Sequence, residues 1–310
     1  MNENQAIRIN KFLSEAGVCS RREADRLVEE GRVKVNGHVL TAGEKILPTD
    51  EVFVDGTPIK KEEKKVLLLF YKPRGIVCST KQQKGDTTVI DYLSYPIRVY
   101  PVGRLDKESE GLLLLTNEGD LVNKIMRAGN YHEKEYHVKV NKDLDEDFVR
   151  RMSSGIPILD TVTRPCTVER TGKHSFRIIL TQGLNRQIRR MCEYLGYQVT
   201  ELKRVRIMNL TIAGLKKGEY REISSKEREK LEKMLQFSSS ETVTGGNYGR
   251  KNSENERIST KAESGGKGLL SGRSRDHEQS GVRQTVRRAS ENGRGNRNRS
   301  GRQSNHKRRV

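Results

Sequence analysis

The stretch VGRLDKESEGLLLL, residues 102–115, places an acidic side chain between two basic ones immediately before an apolar run. The acid is Asp106, and its basic neighbours are Arg104 and Lys107. The chain as a whole carries many more basic than acidic residues. A carboxylate in this position is therefore the first candidate for a functional group, and the rest of the sequence decides how to interpret it.

The composition indicates a polyanionic partner. The 310 residues include 60 Lys and Arg against 41 Asp and Glu, a formal net charge of +19, and the length leaves room for two domains. Clustered cations gain free energy by releasing counterions from phosphates, so a nucleic acid is the favoured partner. An anionic membrane surface is the weaker alternative.

Localisation and metal binding can also be judged from the composition. No apolar stretch reaches the length of a membrane span, and the N-terminus lacks a signal-peptide pattern, so a cytoplasmic protein without membrane contact is expected. The cysteines lack the paired spacing of a zinc site. They are Cys19, Cys78, Cys166 and Cys192. We expect reduced, structural thiols and no metal.

Two short helices and a hairpin are predicted near the N-terminus. Apolar residues recur at helical spacing in IRINKFLSEAG, and the final glycine can end that helix. SRREADRLVEEG begins with a capping box formed by Ser20 and Glu23. Asn36-Gly37 between alternating valines is a strong hairpin signal. Together these elements fill roughly residues 7–60.

This N-terminal region as a whole, RINKFLSEAGVCSRREADRLVEEGRVKVNG, resembles the RNA-binding module of ribosomal protein S4. Its helices carry basic side chains that we expect to form a phosphate-binding surface. These are Lys11, Arg21, Arg22 and Arg26. Each of them taken singly is better explained as part of a solvated helix face, and only the set indicates a phosphate-binding surface.

The middle of the chain predicts a second, larger domain. The polar segment DGTPIKKEEKK, residues 55–65, is predicted to be a linker. The following segment VLLLFYKPRG predicts a buried strand that ends in a turn. Strands such as EYHVKV and SFRIILT alternate with amphipathic helices without a regular strand-helix-strand rhythm or a phosphate loop. We therefore predict an α+β chain, with an S4-like domain and linker over 1–66 and a mixed α/β domain with a largely antiparallel sheet over 67–237.

Residues 238–310 differ in composition from the rest. They contain 17 Lys and Arg against 7 Asp and Glu, a net charge of +10, and Tyr248 is their one aromatic residue. Such a segment cannot bury enough apolar surface to offset the entropy of ordering its backbone, so a disordered basic tail is predicted. A sequence-tolerant contact with RNA and a purely solubilising role are equally compatible with this composition.

Three arrangements can account for Asp106. It can bond locally, as loop aspartates often do by capping a turn or pairing with a neighbouring cation. It can belong to a pair of carboxylates with Glu108 or Glu110 in acid/base hydrolysis. It can also act alone as an ionised carboxylate in a basic, RNA-lined cleft. The sequence around it leaves all three open.

The helix predicted from GLNRQIRRMCEYLG carries a second group of candidates. Its apolar face contains Ile188 and Met191, which places Arg189 at the flank of that face. A guanidinium there can reach a carboxylate across a partly buried boundary and keep donors free for phosphate. The alternative is an ordinary i, i+4 pair between Arg189 and Glu193.

Tyr136 in the strand HEKEYHVKV shares one face with Val138 and Val140. A tyrosine in line with two valines is more often a core residue than a ligand platform. Its flat ring and hydroxyl nevertheless suit stacking beneath a base in a chain that has few aromatic residues.

Three of these motifs, in this order behind the S4-like module, resemble the pseudouridine synthases of the RsuA type. They are GRLDKESEGLLLLTNEGDLVNKI, KEYHVKV and GLNRQIRRMCEYLG. The resemblance covers about residues 7–237 and implies isomerisation of an RNA uridine without a metal or cofactor. By this resemblance Asp106 attacks or assists at the uridine and Arg189 pairs with it.

The resemblance also implies how the base is reached. Chemistry on a base in folded RNA requires that the nucleotide flip out of the stack. Arg104 would fill the gap that it leaves, and Tyr136 would hold the flipped base. The other residues expected along the RNA path are Leu105, Lys107, Arg186, Gln187 and Ile188.

The segments RAGNYHEKEY, GIPILDTVTRPC and LNRQIRRMCE are most similar to the F-type synthases of large-subunit rRNA. Leu184 departs from the Gly-Arg-Asn-Arg-Gln pattern of the wider RsuA type, which favours the F type. The expected partners are 23S rRNA and, as a further candidate, tRNA, and a monomer is expected. A different target uridine within the RsuA type stays open.

Two other classes of function compete with this interpretation. A non-catalytic RNA-binding assembly factor would share the salt-sensitive RNA affinity but would not modify a uridine. An RNA-cleaving hydrolase would need an acid/base pair or a metal cluster. The nearest histidines, His132 and His137, lie at odd spacing on a predicted strand and so point away from a common face.

Overall fold

The computed structural model describes residues 6–60, 64–79 and 85–239, which belong to one compact unit spanning Met1–Thr244. The predicted basic tail lies outside the described residues from position 240 onward. The described part contains a small N-terminal domain and a larger domain built on one wide sheet. Among its helices, none has the length and apolar character that a bilayer crossing requires.

The N-terminal domain has the predicted pair of helices and hairpin. The Ser20 hydroxyl oxygen accepts a hydrogen bond from the Glu23 amide at 3.2 Å, and Asn36 and Gly37 both adopt the left-handed conformation of a tight hairpin turn. Its elements are β1 (Ile7–Arg8), α1 (Ile9–Glu15), α2 (Arg21–Glu29), β2 (Val33–Val35), β3 (His38–Val39), β4 (Lys45–Ile46), β5 (Val52–Val54) and β6 (Thr57–Ile59).

The prediction of a linker over residues 55–65 was wrong in its first half. Asp55 and Gly56 have φ values of 50° and 79° and turn the chain into β6, which pairs antiparallel with β5. The strand order β3-β2-β5-β6 puts β6 at the sheet edge, where a proline, here Pro58, is tolerated. An edge strand needs little apolar surface, so the polar composition concealed it.

The larger domain alternates strands and helices as predicted, with one 3₁₀ turn over Ala128–Asn130. Its elements are β7 (Leu67–Lys72), α3 (Val89–Leu93), β8 (Tyr100–Val102), β9 (Glu110–Thr116), α4 (Gly119–Met126), β10 (Lys134–Val140), α5 (Phe148–Ser153), β11 (Pro157–Ile158), β12 (Thr161–Val162), β13 (Thr167–Gly172), β14 (Ser175–Leu180), α6 (Gln187–Tyr194), β15 (Val199–Ile207), β16 (Leu210–Thr211), β17 (Tyr220–Glu222) and α7 (Ser225–Leu235).

The central sheet has the strand order β13-β14-β10-β15-β9-β7-β17, with β8 paired to β9 and β16 to β15. Among its described strands, every pairing is antiparallel except β9 with β15. The predicted α+β class with a mixed, largely antiparallel sheet is therefore confirmed.

Helices cover both faces of this sheet where β7 and β9 run. Leu112 and Leu114 of β9 pack with residues of α4 and α7, whereas Leu113 and Leu115 pack with residues of α3 on the other face. A strand covered on both sides has no polar face, which explains the continuous leucines at the end of the opening stretch.

Polar contacts join the two domains within this unit. The Lys11 ammonium of α1 lies 2.8 Å from the Asp120 carboxylate of α4. Arg98 donates a hydrogen bond to the Cys19 carbonyl at 2.6 Å. The N-terminal domain is thus fixed against the region of the larger domain that precedes and follows β8 and β9.

Gly111 is required where β9 meets β15. Its φ of 109° lies in the region that disfavours side chains, and a Cβ placed on it would lie 2.2 Å from the Arg204 carbonyl oxygen. Arg204 also donates from Nε to the Leu112 carbonyl at 2.7 Å. The parallel pairing of β9 with β15 thus depends on the close approach of two backbones.

We predict that Gly111→Ala lowers the free energy of unfolding by about 2–5 kcal/mol, because the methyl group must displace backbone and force a strained φ. Urea denaturation measures this. Gly129→Ala is the matched control, since a Cβ there meets nothing within 4 Å. Equal unfolding midpoints for the two variants would contradict the argument.

Candidate active site

The loop that carries Asp106 joins the antiparallel strands β8 and β9, and its backbone is held at every position from 106 to 109. The Asp106 carbonyl accepts from the Ser109 amide at 3.0 Å, and the Lys107 carbonyl accepts from the Gly75 amide at 2.9 Å. The Glu108 carbonyl accepts from Arg189 at 3.4 Å. The Ser109 carbonyl accepts from the Lys72 ammonium at 2.8 Å. Since four successive carbonyls are bonded, the loop presents Asp106 from a fixed backbone.

Two guanidinium groups flank the Asp106 carboxylate. Its Oδ2 atom lies 3.5 Å from Arg189 Nε and 3.6 Å from Arg186 Nη1. These distances describe ion pairs rather than direct hydrogen bonds. The structure thus brings together Asp106 and Arg189, the pair that the family resemblance implies, and adds Arg186 to it.

Arg189 is buried, with 8% of its surface exposed, on the first turns of α6. Its Nη atoms donate to the Val199 carbonyl at 3.3 Å and to the Ser109 hydroxyl at 3.3 Å. Burial lowers the pKa of Arg189, and the Asp106 charge opposes that shift. Its contacts run to β15 and to the Asp106 loop, so the alternative of a surface pair with Glu193 does not describe it.

The Nε atom of Arg189 is buried and has no hydrogen-bond acceptor among the described residues. It is also the Arg189 atom nearest to Asp106 Oδ2, at 3.5 Å. An unsatisfied buried donor is costly. A small movement of the carboxylate, or an oxygen of a bound substrate, would satisfy it.

The start of α6 positions the other basic side chain. Arg186 is the residue before the helix and has a φ of 49° and ψ of 35°, a left-handed conformation that is uncommon for a residue with a side chain. The buried Gln187 accepts a hydrogen bond from the Leu184 amide at 3.0 Å through its side-chain oxygen. The turn before α6 is therefore internally bonded and directs Arg186 toward Asp106.

A small cleft, with a volume of about 90 Å³, opens in front of Asp106. Its lining includes seven residues predicted from the sequence and several that were not. It comprises Arg104, Leu105, Asp106, Ser109, Tyr136, Leu180, Gln182, Gly183, Leu184, Arg186, Gln187, Ile188 and Leu202. Asp106 is the one acidic side chain among the described residues that line it.

Tyr136 lies at the border between the core and the cleft. It packs partly buried against the core clusters on either side and also lines the cleft. Across the sheet it lies opposite Ile178 on β14 and Arg204 on β15. The ring is therefore a fixed wall of the cleft, held by the sheet.

The remaining predicted residues lie elsewhere. Lys107 is exposed and lies 2.7 Å from the Asp86 carboxylate, outside the cleft lining. Lys11 pairs with Asp120, as described above. Arg26 pairs with Glu23 on α2.

Arg21 lies beside Tyr100 of β8, at the junction of the two domains. Burial raises the pKa of Tyr100 to about 12, and the Arg21 charge opposes that rise. Arg22 is exposed on α2. A phosphate-binding role for the basic residues of α1 and α2 stays a prediction. Two of these residues, Lys11 and Arg21, lie at the junction of the two domains.

Sequence reasoning missed Lys72, Ser109 and Gln182. Lys72 is fully buried, and burial lowers its pKa even though Asp106, Glu108 and other groups nearby oppose the shift. A lysine that ends the apolar run LLLFYK could have signalled this role, since lysine is almost never fully buried without a specific partner. Nothing in the sequence around Ser109 or Gln182 indicates their long-range contacts.

Two more buried cations lie behind the cleft, at the base of β10 and in β15. Lys134 donates to the His132 carbonyl at 2.9 Å, and Arg204 Nη2 is buried without an acceptor among the described residues. Burial lowers the pKa of Lys134 to about 8, and the Arg204 charge adds to this effect. The sheet thus keeps a positive interior next to the site.

A larger cleft of about 1220 Å³ lies between the N-terminal domain and the helices α4 and α7. Two of its cations pair with Glu118, Arg228 at 2.7 Å and Lys65 at 3.5 Å. Asp106 does not line it, whereas Asp106 and Arg186 line the smaller cleft. The smaller cleft is therefore the better candidate for chemistry.

The chain matches two family models. The model of RNA pseudouridylate synthase covers residues 66–194, and the model of the S4 domain covers residues 7–52. The first range contains the Asp106 loop, Tyr136 and the Arg189-bearing part of α6.

Similar proteins are known from several bacteria. The chain is 50% identical over 243 residues to the dual-specificity RNA pseudouridine synthase RluF of Escherichia coli strain K12, covering 78% of this chain and 83% of that protein. It is 39% identical over 232 residues to the ribosomal large subunit pseudouridine synthase B of Bacillus subtilis strain 168, covering 72% of this chain and 95% of that protein.

A crystal structure of a pseudouridylate synthase has a similar fold. The TM-score is 0.55 at 28% sequence identity, over 73% of this chain and 99% of that one.

The pH dependence of stability tests whether the Lys134 ammonium is buried as a charged group. Its folded pKa of about 8 lies below its ordinary value of 10.5, so between these pH values the unfolded chain binds more protons at this residue. The free energy of unfolding therefore rises with pH across that window. Below pH 8 the whole cost of burying the charged Lys134 ammonium is present. Replacing Lys134 by Met removes the titrating group.

The quantity compared is the unfolding free energy of Lys134→Met minus that of the parent. We expect this difference to fall by roughly 3 kcal/mol between pH 7 and pH 10.5, because the parent gains stability over that range. Urea denaturation at both pH values measures the difference, and other titrating groups cancel between the two proteins. Lys139→Met is the control, since Lys139 is exposed on the same strand. A pH-independent difference for Lys134→Met would show that Lys134 is not held in this way.

Proposed function

Because the chain belongs to the RNA pseudouridylate synthase family and is an RNA pseudouridine synthase, we propose that it isomerises a specific uridine of 23S rRNA and, as a second substrate, a uridine of tRNA. The large-subunit substrate is named for the relative from B. subtilis, and dual specificity for the relative from E. coli. The resemblance to F-type synthases favours the F-type rRNA site. A different uridine of the same rRNA is the alternative.

We assign the chemistry to Asp106. The observation that carries this assignment is that Asp106 is the one carboxylate among the described residues of the cleft, held between two guanidinium groups on a fixed loop. In the isomerisation the bond from the ribose C1′ to N1 breaks, the uracil rotates, and C1′ bonds to C5. The C5 proton leaves and N1 gains a proton, so the mass of the RNA does not change.

The other cleft residues are assigned to base recognition. A flipped uracil needs a flat contact and a closed wall, which Tyr136 and the apolar side chains of Leu180 and Leu202 offer. Arg104 is exposed at the rim, where its guanidinium can take the place of the flipped base. Arg186 is half-exposed and can bind phosphate while it remains near Asp106.

We expect Asp106→Asn to lower the rate of pseudouridine formation by at least about 10³-fold, because the amide keeps the shape of the side chain and removes its charge. Tritium release from RNA labelled at C5 of uridine measures the rate on 23S rRNA and on tRNA from cells that lack the gene. Glu108→Gln is the control, since it removes an exposed carboxylate from the same loop and should keep the parental rate. An active Asp106→Asn protein would refute the assignment.

The target is identified by mapping pseudouridine in total RNA from cells with and without the gene. A 23S rRNA site that disappears in the deletion strain and returns with the parent protein, but not with Asp106→Asn, supports the proposed substrate. Loss of a tRNA site in the same experiment supports dual specificity. If no rRNA site changes, the proposed substrate is wrong.

Arg189→Lys tests whether the geometry of the guanidinium matters beyond its charge. A single ammonium cannot bond the Val199 carbonyl and the Ser109 hydroxyl and also face Asp106, so we expect a roughly 10²-fold lower single-turnover rate at saturating RNA. Arg190→Lys is the matched control, because the side chain of Arg190 bonds only to Asn185 among the described residues. Equal rates for the two variants would show that charge alone suffices.

A further inference from the structure

Tyr131 and Arg164 form a cation-π pair at the surface of the larger domain. The Arg164 guanidinium carbon lies 4.1 Å from the centre of the Tyr131 ring. Tyr131 is 48% exposed, so an exposed aromatic surface remains next to a positive charge. Neither residue contributes to the cleft lining, and neither has a part in the chemistry assigned to Asp106.

Local bonds hold this pair in place. Arg164 donates from Nη1 to the Ala128 carbonyl at 2.7 Å. Tyr131 has a φ of 54°, an uncommon conformation for an aromatic residue, at the end of the 3₁₀ turn. The side chain of Asn130 exchanges hydrogen bonds with the backbone of Ser239, at 3.1 and 3.2 Å. The ring is therefore presented by a fixed turn, which lowers the entropy cost of binding a flat ligand.

The pair is next to the cleft. The backbone amide of Arg164 donates to Gln182 Oε1 at 3.0 Å, and Gln182 lines the cleft with Asp106. Tyr131 precedes Tyr136 by five residues, so the two Cα atoms are at most about 18 Å apart. At about 3.4 Å per stacked nucleotide, that distance is covered by roughly five nucleotides.

Two of the segments that resemble the F-type synthases meet at this pair. Tyr131 belongs to RAGNYHEKEY and Arg164 to GIPILDTVTRPC. They are more than 30 residues apart in sequence, and the fold brings them into contact beside the cleft. A contact that selects among RNA substrates would be expected in such segments.

We propose that Tyr131 and Arg164 form a second RNA site, which binds one unpaired nucleobase of the substrate within about five nucleotides of the target uridine. The Tyr131 ring supplies a stacking face that accepts any base, and the Arg164 guanidinium supplies a planar cation for stacking or for phosphate. This inference rests on the proposed function, because it assumes that RNA occupies the cleft. The site contributes affinity and substrate choice, whereas Asp106 contributes the rate.

The competing explanation is structural. Arg164 then serves only to clamp the 3₁₀ turn, and Tyr131 only to cover it. Loss of either side chain would lower the melting temperature without a change in RNA affinity at a temperature where both proteins are folded. The two explanations therefore differ in a measurement on RNA.

The experiment uses the full chain and a hairpin RNA that carries the mapped uridine. Each nucleotide within six positions of the target is replaced in turn by the fluorescent base 2-aminopurine, in complexes with Asp106→Asn protein so that no turnover occurs. We expect quenching at one position, lost in Asp106→Asn/Tyr131→Ala and kept in Asp106→Asn/Tyr131→Phe.

Affinity and rate are then measured separately in proteins with Asp106 intact. Tyr131→Ala should weaken hairpin binding by about 5- to 100-fold, as expected for loss of one stacked base. Its single-turnover rate at saturating RNA should match the parent. Arg164→Lys, which keeps the charge and loses the plane, should weaken binding as well. Tyr194→Ala is the matched control, since Tyr194 is 60% exposed on α6 and lies outside the pair.

The inference is overturned if Tyr131→Ala and Arg164→Lys bind the hairpin as tightly as Tyr194→Ala, or if the quenching pattern does not depend on Tyr131. Melting temperatures of all variants show whether each is folded at the assay temperature. Failure of the proposed function gives a different result, because the parent protein itself then releases no tritium from the hairpin. If the parent protein releases tritium from the hairpin, and the Tyr131 and Arg164 variants bind the hairpin as tightly as the control, only the second site is refuted.

Discussion

The site depends on the bonding of four consecutive carbonyl groups in the loop between β8 and β9. Their donors come from the loop itself, from the turn after β7, from the end of β7 and from α6. Elements far apart in sequence thus define one short piece of backbone. A carboxylate on such a loop needs no reorganisation of the backbone to reach its working position, which is the condition for effective electrostatic catalysis.

The bonding of the loop also explains why two cations, Lys72 and Arg189, are buried beside it. Lys72 donates a hydrogen bond to the Ser109 carbonyl, and Arg189 donates one to the Ser109 hydroxyl. A buried cation costs free energy unless it is paired or well bonded. Here the ammonium and the guanidinium donate to loop carbonyls, and Arg189 also lies 3.5 Å from the Asp106 carboxylate, whose side chain remains 31% exposed.

Local sequence signals predicted much of this architecture. The capping of α2, the Asn36-Gly37 hairpin and the amphipathic helix that carries Arg189 depend on neighbours within a few residues, so their patterns are visible in the chain. The pair of Asp106 and Arg189 was accessible only through the family resemblance, because 83 positions separate the two residues. No spacing rule connects them.

Contacts of long range account for what the sequence did not reveal. The roles of Lys72 and Ser109 follow from the packing of β7 against the loop, and that of Lys11 from the meeting of two domains. Each of these side chains has an ordinary local context. The strand β6 was hidden for the opposite reason, since an edge strand with a proline and charged neighbours resembles a linker in composition.

The contact of Lys11 with Asp120 changes how binding measurements on this protein are to be interpreted. The decline of affinity with ionic strength is commonly used to count the phosphates that a protein neutralises. Ions that screen the RNA also weaken an exposed pair that fastens one domain to the other. The slope therefore combines two processes, and a phosphate count taken from it includes the loosening of the protein itself.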